Sequence, residues 1–113
     1  MDTVKHVTVR IVSKKMSGAV WNPRTRWGAK VIVFAFVEDA AGRIGVGEAW
    51  INEGGAEAVK AIIANDFAPM IVGHPPSHAR RVTHEVQRDT EISGRSGIAA
   101  AAWSALDIGL WDL

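Results

Sequence analysis

The connection from Ser13 to Ala29, SKKMSGAVWNPRTRWGA, interleaves Trp21 and Trp27 with Lys14, Lys15, Arg24 and Arg26 and contains no acidic residue. Guanidinium groups pair with carboxylate or phosphate, and an indole beside them supplies an apolar wall or lid. A loop of this length between two strands is uncommon unless it is functional or disordered, and tryptophan suits a disordered segment poorly. The pattern fits a site for an anionic ligand. It fits equally well tryptophans anchored in the domain or in a subunit interface, with the cations merely solvated.

The remaining chemistry-bearing residues resolve into bland readings. His74 and His78 are four apart, but Pro75 and Pro76 between them forbid the helix that would set both imidazoles on one face. They read as loop and cap neighbours. His84 and Glu85 begin HEVQR, which lacks the second histidine of the zinc-protease signature, so a solvated helix face is expected. Gly45-Val46-Gly47 starts like a dinucleotide fingerprint, yet the third glycine is replaced by Trp50 and a strand continues where a helix should begin. Those glycines read as sites of close packing or a bulge. There is no serine elbow, no phosphate loop and no set of carboxylates spaced for a cation, so no catalytic residue and no metal ligand is assigned to the chain.

Composition bounds what can position such a loop. The 113 residues suffice for one domain with a modest core. Hydrophobic residues at 48% and charged residues at 22% describe a chain that folds. A net charge of +1 gives no general attraction to nucleic acid or to an anionic membrane, so neither is expected as a partner. Cysteine is absent, which removes disulfides and thiolate chemistry and leaves the cytoplasm as the expected compartment. The amino terminus alternates with charge and does not read as a signal peptide. The longest apolar stretch, at the carboxyl end, is shorter than the roughly 20 residues a span needs and contains Asp107 and Asp112.

The elements follow from periodicity. In VKHVTVRIV, Val7, Val9 and Ile11 fall on one face and His6, Thr8 and Arg10 on the other, which is the alternation of a half-buried strand. KVIVFAFVED, Lys30 to Asp39, is an unbroken β-branched and aromatic run suited to a central strand covered on both faces. DAAGR supplies a turn with Gly42 free to take positive φ, and IGVGEAW returns as a third strand, giving an antiparallel meander. The second half is helical. AEAVKAIIANDFAPMIV sets Val59, Ile62, Ile63 and Phe67 at helical spacing, with Pro69 and GHPP to kink or end it. Ser77 would cap HARRVTHEVQRDTE, whose thin stripe of Val82 and Val86 predicts an exposed helix. Ser96 would cap GIAAAAWSALDIGLWDL, which is apolar on almost every side and so expects partners all round. Strands and then helices in separate blocks predict an α+β domain.

Taken together, the strand, long loop, hairpin with Gly42 ahead of Gly45-Val46-Gly47-Glu48, helix ending near Ile71-Val72-Gly73, and closing Ala105-Leu106-Asp107-Ile108-Gly109-Leu110-Trp111-Asp112-Leu113 resemble the amino-terminal domain of the enolase superfamily, in its mandelate racemase and muconate lactonizing enzyme branch. The resemblance covers essentially the whole chain, and its most specific part is the last helix. Gly109 stands where the family more often has alanine.

The resemblance implies a capping domain, residues 1–113 with strands over about 4–50 and helices over about 55–113, that sits on a modified (β/α)8 barrel, supplied in cis or in trans, and leads towards it through the closing helix. It implies an enzyme that removes a proton α to a carboxylate and stabilises the enediolate with Mg²⁺, using a lysine or histidine base, as in a racemase, acid-sugar dehydratase or cycloisomerase. Base and metal ligands would lie at barrel strand ends, after Leu113, so the chain is expected to bind no cofactor and to be inactive alone. What it would contribute is two loops over a small carboxylate substrate: Trp21, Arg24, Arg26 and Trp27 on the first, and Trp50, Ile51 and Asn52, following Ala49, on the second. Glu48 is expected to be structural. A homo-oligomer is left open. The rival from another class is a free-standing binding or protein-interaction module that keeps the cap fold without enzymatic activity and hides the apolar helix by self-association.

Overall fold

The computed structural model describes residues 2–52, 54–89 and 97–113. Strand β1 (Val4–Lys15) pairs antiparallel with β4 (Ala29–Asp39), which pairs antiparallel with β5 (Ile44–Ala49), so the sheet order is β1-β4-β5. Between β1 and β4 a small hairpin of β2 (Trp21–Asn22) and β3 (Thr25–Arg26) stands apart from the sheet. The helical half runs α1 (Ala56–Ala61), a π-helical segment (Ile62–Phe67), α2 (Ala68–Ile71), a 3-10 turn (Pro76–His78), α3 (Ala79–Asp89) and α4 (Gly97–Asp112). Strands then helices, as expected, make an α+β unit.

The turn between β4 and β5 shows how local chemistry sets the register. Gly42 N–H donates to the Asp39 carbonyl and Asp39 N–H to the Arg43 carbonyl, both at 3.0 Å, while Gly42 takes φ 83°. This is a type I turn closed by a glycine in the left-handed region, a loop that matches the twist of paired strands. The Asp39 carboxylate, fully buried, accepts from Ala41 N–H and Arg43 N–H at 2.9 Å and from the Arg43 guanidinium at 2.6 and 2.7 Å. Burial alone would raise its pKa; the hydrogen bonds and charge of Arg43, with the Ala41 N–H, outweigh burial and leave it below the ordinary carboxylate value.

All helices with described contacts to the sheet pack on one face. Val33, Ala35 and Val37 of β4 are buried there against Val59, Ile63, Phe67, Leu106 and Leu110. The other face carries Phe34 and Phe36, with ring centroids 6.1 Å apart, flanked by the exposed Val12, Ile44 and Val46. The run at Lys30 to Asp39 is therefore central but covered on one side only, contrary to its unbroken hydrophobicity. Its outward positions are aromatic residues that shield one another and the neighbouring strand surface, where alternation would have placed polar ones.

Helix α4 lies directly on β5 because glycine permits it. A Cβ on Gly47 would stand 1.7 Å from the Ala105 carbonyl oxygen, and one on Gly45 2.0 Å from that of Gly109. These are the close-packing glycines that the sequence suggests. Asp112 completes the contact by accepting from Val46 N–H at 2.8 Å, which satisfies an outward backbone donor on the edge strand. The helix buries Ala102, Trp103, Ala105, Leu106 and Leu110 and leaves Ile98, Ile108 and Trp111 exposed. Trp103 stacks edge-on against Phe67 at 5.7 Å, and its indole N–H donates to Thr83 Oγ1, which donates to Asp107.

Pro69 acts as its chemistry requires. It has no N–H for a helical bond and its ring crowds the preceding turn. The chain accommodates this by widening the turn ahead of it, where Ala68 N–H reaches back five residues to the Ile63 carbonyl, and Val72 then turns extended. Ser77, the expected cap of α3, lies inside the 3-10 turn that leads into that helix. The Ser96 cap falls outside the described residues. No helix is long and apolar enough to cross a membrane among the described residues.

Candidate functional site

At the sheet end opposite Asp39, the strands run further than the sequence pattern indicates. Lys14 pairs with Lys30 and Lys15 with Ala29, and Met16 N–H donates to the Gly28 carbonyl. Lys14 and Lys15 are thus strand residues, and the loop shortens to the segment between Met16 and Gly28. Its tip is set by Asn22-Pro23-Arg24-Thr25. Proline presets the first turn dihedral, and Asn22 Oδ1 accepts from the N–H groups of Arg24 and Thr25, both at 2.9 Å. Trp27 N–H donates to the Val20 carbonyl at 3.0 Å, which extends the pairing of the two hairpin arms beyond Trp21 and Arg26.

This stem meets the segment that follows β5. Trp27 Nε1 donates to Asn52 Oδ1 at 3.3 Å. Between the two loops is a cavity of about 210 Å³ lined by Met16, Val20, Trp27, Ala29, Lys30, Val31, Trp50, Ile51 and Asn52. Of the residues singled out from sequence, Trp27, Trp50, Ile51 and Asn52 come together here. Trp21, Arg24 and Arg26 do not line it. Arg26 donates to the Gly18 carbonyl and lies over the Trp21 ring, 6.0 Å from its centroid, on the outside of the hairpin. Arg24 occupies the exposed turn.

The wall thus carries an indole from each loop, with Lys30 the cation among its lining residues. Met16, Val20 and Val31 were legible only as loop and strand apolar residues. The available signal was that Val20 and Met16 are the sole large aliphatic residues between Ser13 and Ala29. Glu48 sits on β5 opposite Phe34, lining a shallow groove with Trp50, Ser104 and Ile108.

The cavity continues past Trp50 into a second, larger groove of about 530 Å³. There Trp50, Ile51, Asn52 and Gly54 face Gly97, Ile98, Ala100, Ala101 and Ser104 at the amino-terminal part of α4. Trp50, 75% exposed, stands between the two. One side of the molecule thus presents the hairpin stem, the segment after β5 and the uncovered apolar side of α4 next to one another.

Elsewhere, His74 and His78 do come together, with ring centroids 6.1 Å apart in a tilted stack, because the 3-10 turn does what a helix could not. Both are exposed. Among the described residues no group of three or more His, Cys, Asp or Glu is placed to hold a metal ion.

The family described as Mandelate racemase / muconate lactonizing enzyme, N-terminal domain, matches residues 5–113. The chain is 33% identical over 78 residues to 3,6-anhydro-alpha-L-galactonate cycloisomerase of Streptomyces coelicolor, an overlap of 68% of this chain and 21% of that protein. It superposes on a racemase from Streptomyces coelicolor A3(2) with bound magnesium with a TM-score of 0.89 at 22% identity, covering 97% of this chain and 31% of that one. It superposes with a TM-score of 0.83, also at 22% identity, on L-talarate/galactarate dehydratase from Salmonella typhimurium LT2 liganded with Mg and L-lyxarohydroxamate, covering 97% and 29%. The chain spans about a fifth of the length of that curated relative and about a third of those solved structures.

Proposed function

Because the chain belongs to the mandelate racemase / muconate lactonizing enzyme family through its N-terminal domain, we propose that it is the capping and specificity domain of a Mg²⁺-dependent enzyme that abstracts a proton α to a carboxylate. Its partner in this reading is a (β/α)8 barrel in the same polypeptide, and its compartment is the cytoplasm. The observation that carries the reading is the adjacency of the loop cavity to the bare side of α4. A helix that leaves Ile98, Ile108 and Trp111 in water beside a lined groove is suited to dock on further protein. Docking there would bring Trp27, Trp50, Ile51 and Asn52 over whatever the barrel holds.

The chemistry divides accordingly. Mg²⁺ takes oxygen ligands in octahedral geometry, and among the described residues no three His, Asp or Glu side chains stand together to supply them. These residues do not fit the metal, which the proposal leaves to the barrel together with the base. The residues of this chain would exclude water, wall the part of the substrate remote from the carboxylate, and hold the two loops in register through the Trp27 to Asn52 bond. Loop closure of this kind raises the strength of every charge interaction beneath it.

The test is to express the product of the whole open reading frame and follow deuterium exchange at the α-carbon of a panel of carboxylic acids, with and without Mg²⁺. The reading expects Mg²⁺-dependent exchange by that product and none by residues 1–113 alone. Exchange by the 113 residues alone, or a reading frame that encodes no barrel, would overturn it.

A further inference from the structure

We propose that the outer face of the sheet is the contact surface between two copies of this chain, packed sheet on sheet about a two-fold axis that runs along β4. The inference goes beyond the capping reading and does not depend on it, because that reading docks the exposed side of α4, a helix that lies on the other face of the sheet.

The make-up of that face carries the argument. On an antiparallel sheet whose other face is packed, the outward positions are expected to be polar. Here Ile32, Phe34 and Phe36 of β4 point outward, with Val12 of β1 on one side and Ile44 and Val46 of β5 on the other. The two phenylalanines are only half-buried, and Val12, Ile44 and Val46 are 36% to 55% exposed. A contiguous apolar patch of this kind marks an interaction surface. Strands about 4.8 Å apart, rising about 3.4 Å per residue, present roughly 500 Å² of sheet over some ten residues. Two copies would then bury about 1,000 Å², which suffices for a specific pair that still dissociates.

The charges around the patch select the occupant. Arg10, Phe34 and Glu48 form one cross-strand row, so a cation on β1 and a carboxylate on β5 stand one strand to either side of the centre. Both side chains are exposed, and among the described residues neither has a hydrogen-bond or ion-pair partner. A two-fold axis along β4 exchanges the places of β1 and β5. It sets Arg10 of each copy against Glu48 of the other, and it lays Phe34 and Phe36 on their own counterparts. The patch is thus complementary to itself, as an isologous contact requires and a contact with an unlike partner does not. Glu38 is met within its own copy by His6 Nε2 at 3.2 Å. At the other end of the face, the crossing of about 30° between stacked sheets carries the two Lys30 side chains apart.

The experiment is sedimentation equilibrium of the product of the whole open reading frame and of its charge-reversed variants, over a wide range of concentration. Arg10→Glu and Glu48→Arg each set like charges against one another twice per pair of copies, and each should weaken association by about tenfold or more. The two reversals combined restore opposite signs and should return association to within about threefold of the parent. Phe36→Cys puts a thiol beside the axis, where a short bifunctional maleimide should join two copies to an extent the parent does not show. That readout holds even where copies also associate through another surface. A product that stays monomeric at every concentration would overturn the proposal, as would single reversals without effect or a double reversal no tighter than the singles. Failure of Phe36→Cys to cross-link beyond the parent would overturn it too. A Phe36→Cys thiol that is unreactive in a folded monomer would show the face to be covered by further parts of the same polypeptide, which also overturns it. Failure of the capping reading is read separately, from the Mg²⁺-dependent exchange assay.

Discussion

The indole N–H of Trp27 donates to the side-chain oxygen of Asn52 at 3.3 Å, joining two loops that lie 25 residues apart in sequence. This side-chain bond ties the hairpin to the segment that follows β5. Asn52→Ala should raise hydrogen exchange at the backbone amide of Trp27 and leave global stability lower by only about 0.5–1 kcal/mol, as for an exposed hydrogen bond. Exchange spectra of the two chains check both parts.

Gly47 tests the contact between β5 and α4. A Cβ there would meet the Ala105 carbonyl at 1.7 Å, with backbone on both sides and no flexible side chain to yield. Gly47→Ala should destabilise the fold by about 3 kcal/mol or more, at the upper end of overpacking costs. Gly54→Ala, which would meet nothing within 4 Å, should stay within about 0.5 kcal/mol of the parent. Urea unfolding of the pair measures the difference.

Asp39 predicts the acid limb of stability. Its folded pKa lies below the ordinary value of 3.8, so the unfolded chain binds the proton more readily. Stability from this group is therefore complete above about pH 4 and is lost as pH falls through the lower, folded value. Thermal melts from pH 6 to pH 2.5 should show that decline in the parent chain and a flatter profile in Asp39→Asn. The variant should also be less stable at neutral pH, since it removes the buried charge partner of Arg43 and leaves it the longer contact with the exposed Asp2 at 3.5 Å.

Thr83 links α3 to α4 through Trp103 Nε1 at 3.1 Å and Asp107 at 3.2 Å. Thr83→Val keeps the shape and removes the oxygen, leaving a largely buried indole N–H unmet. A loss of about 1–3 kcal/mol is expected by chemical denaturation.

How much of this was legible in the sequence depends on where the information resides. Period-two alternation at Val7, Val9 and Ile11, and the Asp39 to Arg43 turn, are local signals and lead straight to the meander. Close packing at Gly45 and Gly47 was legible because a glycine inside a strand has few other uses. The open face of β4 was not, since Phe34 and Phe36 read the same whether a helix or only a neighbouring ring shields them. At the site, residue type pointed to cations and indoles together, but a side chain's direction is set by the hairpin turn and by competition for backbone oxygens. Arg26 found Gly18 and Trp21 instead of the cavity, and Trp27 found Asn52.

The most direct measurement for the capping account is the steady-state kinetics of α-proton exchange by the full reading-frame product carrying Trp50→Ala or Asn52→Ala, against an Ala40→Ser control in the exposed turn at the opposite end of the sheet. The account predicts that both substitutions change KM or kcat by about tenfold or more while Mg²⁺ dependence and the control stay unchanged. Kinetics indifferent to Trp50 and Asn52 in an enzyme that is active and folded would contradict it, and would return these loops to the role of a solvated edge.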